Sequence, residues 1–200
     1  MSKEGVDLGR RRFLTATATV VGGAGVVLAA VPFVSYMNPS ARARAAGAPV
    51  EADIAKIEPG QKVTYKWRGQ PVWIVRRTDE MLAGLEDLTG SGVLADPHSE
   101  NTEQQPPYCQ NEVRSIEPRL LVAIGICTHL GCSPTYRPEV APADLGAEWK
   151  GGFFCPCHGS RFDLAGRVYQ GVPAQDNLKI PPHRYLSDTL ILIGEDKGAA

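Results

Sequence analysis

Two short boxes constrain this chain more than anything else in it: Cys127-Thr128-His129-Leu130-Gly131-Cys132 and Cys155-Pro156-Cys157-His158-Gly159-Ser160. Each offers a thiol and an imidazole at close spacing, and each holds one further cysteine. Only Cys109, His98 and His183 fall outside the boxes among residues of these two types. Two Cys and two His can hold a metal, so a fold for this chain has to serve two metal-binding loops.

The simplest occupant is structural zinc, which takes four Cys and His ligands in a closed tetrahedral site. Cys127, His129, Cys155 and His158 would supply the four. That reading leaves Cys132 and Cys157 unexplained beside the ligands. It also ignores the likeness of the two boxes, each with Cys and His followed by Gly. A binuclear iron–sulfur cluster explains more. In one such arrangement two His replace two Cys on one iron, which raises the potential to about −150 to +300 mV from roughly −400 mV for all-thiolate plant-type ferredoxins.

The rest of the chain sets the frame. Its 200 residues suffice for one domain plus an appendage. The net charge of −1, with no basic stripe interleaved with aromatics, argues against nucleic acid as a partner. Beyond Val50 strands are favoured. Lys62-Val63-Thr64-Tyr65-Lys66-Trp67 alternates, Arg68-Gly69-Gln70-Pro71 is turn chemistry, and Val72-Trp73-Ile74-Val75 completes a hairpin. Thr78 or Asp79 caps a short helix over 80–88. Residues 89–107 read as a polar surface loop, and 120–126 as a buried strand that delivers Cys127. Leu178-Lys179-Ile180, 183–186 and 189–193 read as closing strands, and Trp67, Trp73 and Trp149 as core or edge aromatics. An antiparallel sandwich or small barrel is the expected base. His98 and His183 lack a paired ligand and take surface or structural roles. Cys109 reads as a free, partly buried thiol.

Residues 13–37 carry no charge. As a helix this stretch of about 25 residues spans roughly 37 Å, against about 30 Å of hydrocarbon. Arg10-Arg11-Arg12-Phe13-Leu14 just before it resembles a twin-arginine export signal, whose pathway carries folded proteins. The basic cluster predicts a cytoplasmic N-terminus. A cleaved signal peptide is the competing reading, because Ala41-Arg42-Ala43 has small residues at cleavage spacing. The long apolar run favours a retained anchor. The chain thus divides into a cytoplasmic segment 1–12, a transmembrane helix 13–37, a flexible linker or hinge 38–49 and a soluble domain 50–200.

The boxes, the twin-arginine-plus-span N-terminus and Gly171-Val172-Pro173-Ala174 resemble the bacterial-type Rieske iron–sulfur subunits of quinol–cytochrome c reductases, the cytochrome bc complexes. The likeness runs over most of the chain. It implies a mainly β fold: an antiparallel Rieske-type sandwich or barrel base with an inserted cluster-binding subdomain at about 127–174, preceded by one N-terminal transmembrane helix. It implies one 2Fe-2S cluster, with Cys127 and Cys155 on one iron and His129 and His158 on the other. It implies a disulfide between Cys132 and Cys157. Closing a loop of about 25 residues, that bridge contributes on the order of 3 kcal/mol in the chain-entropy model. Gly131, Gly152 and Gly159 would let backbone N–H groups approach the cluster sulfurs. Ser160 would donate a hydroxyl to a cluster sulfur. Phe162 stands where many relatives have a Tyr that reaches a ligand cysteine, which implies a lower potential here.

The same resemblance implies the activity. As a subunit of a quinol–cytochrome c oxidoreductase, the chain takes an electron and a proton from quinol. It passes the electron to a c-type cytochrome, while the second quinol electron goes to a b-type haem, contributing to proton translocation. His158 is the first candidate for quinol contact and His129 the second. Leu130 would shield the cluster at the quinol pocket. The implied partners are a cytochrome b subunit, a c-type cytochrome subunit and ubiquinol, in a dimeric complex of the bacterial inner membrane with the cluster domain periplasmic. A small Rieske subunit of a periplasmic oxidase such as arsenite oxidase, and a soluble Rieske ferredoxin, are the rival functions.

Overall fold

A computed structural model describes Gly5 and residues 7–196, apart from the side chain of Ala46. The ends of the expected segments 1–12 and 50–200 lie partly outside the described residues. Two compact units result, Met1–Ala45 and Ala46–Ala200.

The first unit is dominated by helix α1, Leu8–Tyr36, 29 residues long. It begins earlier than the charge-free run because Asp7 caps it, accepting from the N–H groups of Gly9 (3.0 Å) and Arg10 (3.1 Å). The arginine cluster therefore lies in the first turns of the helix rather than before it, as befits good helix formers. Thr15 and Thr19 turn their hydroxyls back onto the carbonyls of Arg11 and Thr15. This back-bonding hides polar groups within an apolar rod. Phe13, Val20, Leu28 and Phe33 all stand exposed, as a helix surrounded by lipid requires. The stretch read as linker contains a short helix α2, Ala41–Ala46. Ser40 caps it by accepting from Ala43 N–H at 3.1 Å, and alanine and arginine favour helix once capped.

Among its described residues the second unit holds nine strands in three three-stranded antiparallel sheets. Strands β1 (Val50–Asp53), β2 (Lys62–Trp67) and β3 (Gln70–Arg76) open it. Only Arg68 and Gly69 form the β2–β3 turn, both at positive φ (50° and 78°), as a two-residue I′ hairpin demands. Gln70 and Pro71, expected in the turn, already pair with Trp67 and Lys66. Helix α2 is followed along the chain by α3, Asp79–Thr89, capped by the Thr78 hydroxyl. Strand β4 (Leu120–Ile124) pairs with β3, and the small strands β5 (Thr135–Arg137), β6 (Gly152–Phe154) and β7 (Arg161–Asp163) form a sheet of their own. Strands β8 (His183–Ser187) and β9 (Leu190–Ile193) close the unit, with β9 between β1 and β8.

Sheet β2-β3-β4 is central because β3 and β4 are buried on both faces. Val72, Ile74, Leu120 and Val122 pack against Ala52, Ile191 and Ile193 of the closing sheet. Trp73, Val75, Leu121 and Ala123 face the other way, onto Phe153, Phe162, Cys127 and Cys155. The expected sandwich base is thus the first pair of sheets, and the β5-β6-β7 sheet is the inserted subdomain on the far face. Trp67, Trp73 and Trp149 are all buried; Trp73 stacks on Phe153 at 4.8 Å.

Two expectations fail. Leu178-Lys179-Ile180 is no strand. Lys179 accepts from Ile124 N–H (2.8 Å) and Ile180 N–H goes to Gln104 (2.8 Å), so no ladder forms. Pro181 and Pro182 then remove two donors. Residues 89–107 are not a surface loop throughout: Leu94, Ser99 and Gln105 are buried. Ala95 N–H bonds Val168 O (2.9 Å) and Gln170 N–H bonds Val93 O (2.8 Å), which lays the segment along the subdomain as a strap. His98 within it is exposed.

His183 is buried in β8. Its Nδ1–H donates to Pro181 O at 2.8 Å, and Nε2 finds no partner among the described residues. Burial pulls its pKa below the ordinary value, against weaker upward pulls from Pro181 and Asp196. Below about pH 6.5 the unfolded chain binds a proton that the folded one refuses, so stability falls as pH falls through that window. Thermal melts of the detergent-solubilised chain should show this loss between neutral pH and about pH 5. His183→Asn should flatten it, and an unchanged pH profile would disprove the assignment.

Candidate metal centre

The two boxes fold into loops of one design. Cys127 N–H donates to Cys132 O (2.7 Å) and Gly131 N–H to Cys127 O (3.1 Å). In the second loop Cys155 N–H donates to Ser160 O (2.8 Å) and Gly159 N–H to Cys155 O (2.9 Å). Gly131 (φ 83°) and Gly159 (φ 77°) supply the left-handed conformation each turn needs. Gly152 serves differently. It sits in β6, where a Cβ would meet the carbonyl oxygen of Phe162, so close strand packing requires it.

The chain enters the first loop from β4 and the second from the β6–β7 hairpin. Gly125, just past β4, admits the Trp73 indole, which any Cβ there would strike. Thr128 Oγ donates to Asp176 O at 2.6 Å and fixes the first loop from the side. Ser160 Oγ accepts from Ala174 N–H at 3.1 Å, which ties the second loop to the Gly171-Val172-Pro173-Ala174 segment. A disulfide between Cys132 and Cys157 joins the loops, with Cα atoms 6.7 Å apart.

These loops sort their donors by depth. Cys127 and Cys155 are free and each only 2% exposed, within the core formed with Trp73, Phe153 and Phe162. His129 and His158 meet edge to face at 4.8 Å between ring centroids. His158 is exposed and His129 half-buried, while Leu130 of the first box is 72% exposed. Burial pushes the Cys127 thiol up. The adjacent Cys155 sulfur adds to this, and the His129 N–H and Ser160 hydroxyl oppose it.

A buried Cys127 thiol that resists becoming an anion by itself, with the buried Cys155 sulfur adjacent, fits a site completed by a cationic metal, which stabilises thiolates directly. Two imidazoles on the solvent side fit neutral donors for its outer end. Proximity alone selects Cys132, Cys155 and Cys157, whose sulfurs lie within 4.8 Å of one another. Two of those are already tied in the bridge, so that trio is not a donor set.

Sequence reasoning missed the buried arginines that tie the turn at 163–167 to the segments around 104 and 113–118. Arg77, Arg114 and Arg167 are fully buried. Arg77 donates to the carbonyls of Pro118, Val113 and Leu164 and to the Ser115 hydroxyl. Arg114 donates to Ala165, Gly166 and Gln104 carbonyls and to Gln105. Arg167 pairs with buried Asp163 at 2.7 Å. Burial lowers Arg77 and Arg114 to about 10, still well charged at neutral pH, with Asp163 opposing the shift. Only the i,i+4 spacing of Asp163 and Arg167 was a usable signal, and it is a weak one.

A β fold with two sulfur–imidazole loops locked by a bridge defines a Rieske-type iron–sulfur protein. The family model for the Rieske [2Fe-2S] domain matches residues 103–182, and one described as "Ubiquitinol-cytochrome C reductase Fe-S subunit TAT signal" matches residues 1–40. The ubiquinol-cytochrome c reductase iron-sulfur subunit of Allochromatium vinosum is 65% identical, over 100% of this chain and 95% of its own length. That of Blastochloris viridis is 38% identical over 96% and 97%. Among solved structures, a chain of "Hyperthermophilic respiratory Complex III" aligns at 25% identity with a TM-score of 0.47, over 88% and 98% of the two chains. The chain belongs to the family of ubiquinol-cytochrome c reductase iron-sulfur subunits. Full-length identity at this level sets aside the periplasmic-oxidase and soluble-ferredoxin readings.

Proposed function

We propose that this chain is the membrane-anchored electron carrier of a quinol–cytochrome c reductase, working with a cytochrome b subunit and a c-type cytochrome in a dimeric complex. The observation that carries the reading is the depth-sorted donor set, two buried thiols beneath two solvent-side imidazoles. Cys127 and Cys155 would hold one iron and His129 and His158 the other. When bound, a 2Fe-2S cluster so ligated supplies reversible one-electron chemistry at about −150 to +300 mV.

The residues do the remaining work. His158 presents its exposed ring to a ubiquinol hydroxyl, accepts a hydrogen bond and takes up the proton; His129, half-buried, is the less accessible of the two. Leu130 covers the approach from water once the tip is docked. Ser160 holds its hydroxyl toward the Cys127 sulfur. Helix α1 is the anchor, Arg10, Arg11 and Arg12 keep the N-terminus cytoplasmic, and the head domain is periplasmic. Residues 38–49 would act as the hinge.

An electron paramagnetic resonance spectrum of the dithionite-reduced complex tests this directly. Mixed nitrogen–sulfur ligation gives a low average g value, and b- and c-type haems should co-purify. A colourless preparation, or one holding a single zinc ion and no labile sulfide, would remove the proposal.

Phe162 is fully buried and packs in one core with Cys127 and Cys155. Phe162→Tyr adds a hydroxyl there, able to donate to a ligand sulfur and stabilise negative charge. Voltammetry should then show a higher midpoint potential than in the parent chain. An unchanged or falling potential would show that the new hydroxyl reaches no sulfur.

A further inference from the structure

The sulfurs of Cys132, Cys155 and Cys157 crowd within 4.8 Å of one another, yet only two can share a bond. Cys132 and Cys157 share it, and Cys155 is a free thiol. Cys155 is also held in place, because its N–H binds Ser160 O and its C=O accepts from Gly159 N–H. A free thiol fixed beside a disulfide is the starting arrangement for thiol–disulfide exchange.

We propose that Cys155, whenever it carries no metal, attacks the bridge at Cys132, so that ligation of Cys155 is what holds the Cys132–Cys157 pairing. This rests on the reading of Cys155 as a ligand. In the step, the Cys155 sulfur forms a bond to the Cys132 sulfur. The Cys132–Cys157 bond breaks, and its electron pair leaves on Cys157, which takes up the proton that Cys155 gave up. One bridge and one thiol enter and one of each emerge, so no oxidant or reductant is needed.

Two features direct the attack to Cys132. Cys157 is exposed and Cys132 half-buried, so charge leaving on Cys157 is met by water. A Cys132–Cys155 bridge also keeps the two loops joined. Attack at Cys157 would instead link cysteines separated only by Pro156 and release the loops, forfeiting nearly all the loop-closure benefit. The exchanged chain has lost one buried thiol to the wrong partner and can no longer offer the full donor set. Metal therefore has to be in place before the bridge forms. A twin-arginine signal, which exports folded protein into an oxidising compartment, imposes that order.

The test uses the full chain purified with its cluster in detergent. Iron is withdrawn anaerobically with a chelator, and released sulfide is removed by desalting. Thiols are then trapped with N-ethylmaleimide in denaturant at mildly acidic pH, and bridges are mapped by mass spectrometry of peptides. Before iron removal the bridge should be Cys132–Cys157 with Cys157 unlabelled. Afterwards a Cys132–Cys155 bridge and labelled Cys157 should appear, whereas Cys155→Ser should keep Cys132–Cys157 throughout. A bridge that stays at Cys132–Cys157 in the iron-free parent chain overturns the proposal. Iron and sulfide content of Cys155→Ser separates the two readings, since parental content there removes the ligand assignment whatever the bridge does.

Discussion

Cys127→Ser is expected to yield a folded but colourless chain, with iron and labile sulfide reduced to traces. Cys127 is buried to 2% exposure, and its backbone N–H and C=O fix the first loop through Cys132 and Gly131. Those bonds survive the substitution, so the loop keeps its shape. What disappears is a soft thiolate donor, and a buried serine hydroxyl neither ionises readily nor matches iron's preference for sulfur. Cys109 provides the internal control. It too is fully buried, and burial pushes its thiol up to about 11 even though Arg114 and Arg77 pull it down. Cys109→Ser should therefore keep the full complement of iron and sulfide. Visible absorbance and metal analysis of the two variants decide the matter, and equal cluster content in both would remove Cys127 from the donor set.

The second large effect concerns the bridge. Cys132→Ala combined with Cys157→Ala removes a cross-link spanning a sequence separation of 25. Constraint of the unfolded chain makes such a link worth about 3 kcal/mol, or ~6–12 °C in the unfolding midpoint of a domain this size. The double substitution is the informative one, because a single replacement leaves an unpaired thiol beside Cys155. The cluster should also bleach faster on dilution, since nothing else joins the two box tips covalently. Differential scanning calorimetry and the bleaching rate measure the two effects. A midpoint within a degree or two of the parent's would show that the Ser160–Ala174 and Thr128–Asp176 hydrogen bonds alone hold the loops.

What could be read from the sequence was local. The boxes declare their chemistry because donor type and spacing sit within a few residues. The β2–β3 hairpin is legible from Arg68-Gly69 between two β-rich runs, and α3 from Thr78 ahead of an apolar repeat. What stayed hidden depends on partners far along the chain. Val50 pairs with Ile193 across almost the whole domain, and no pattern in either strand specifies the other. Leu178-Lys179-Ile180 has strand composition but lacks a continuous neighbour to pair with. Arg77 and Arg114 look like ordinary loop arginines, and only tertiary structure supplies the carbonyls that pay for their burial. The depth difference between the thiols and the imidazoles is likewise a product of how the central sheet packs, not of the boxes themselves.

That central sheet has a consequence of its own. Along β3 and β4, odd-numbered side chains (Trp73, Val75, Leu121, Ala123) and even-numbered ones (Val72, Ile74, Leu120, Val122) answer to different cores, and the antiparallel register preserves this parity across the pair. Sequence drift at even positions can therefore remodel the scaffold while leaving the redox tip untouched. Drift at odd positions is transmitted straight to the tip. Parity thus makes the tip a portable module, one that could be grafted onto another scaffold by keeping one register class of residues and redesigning the other.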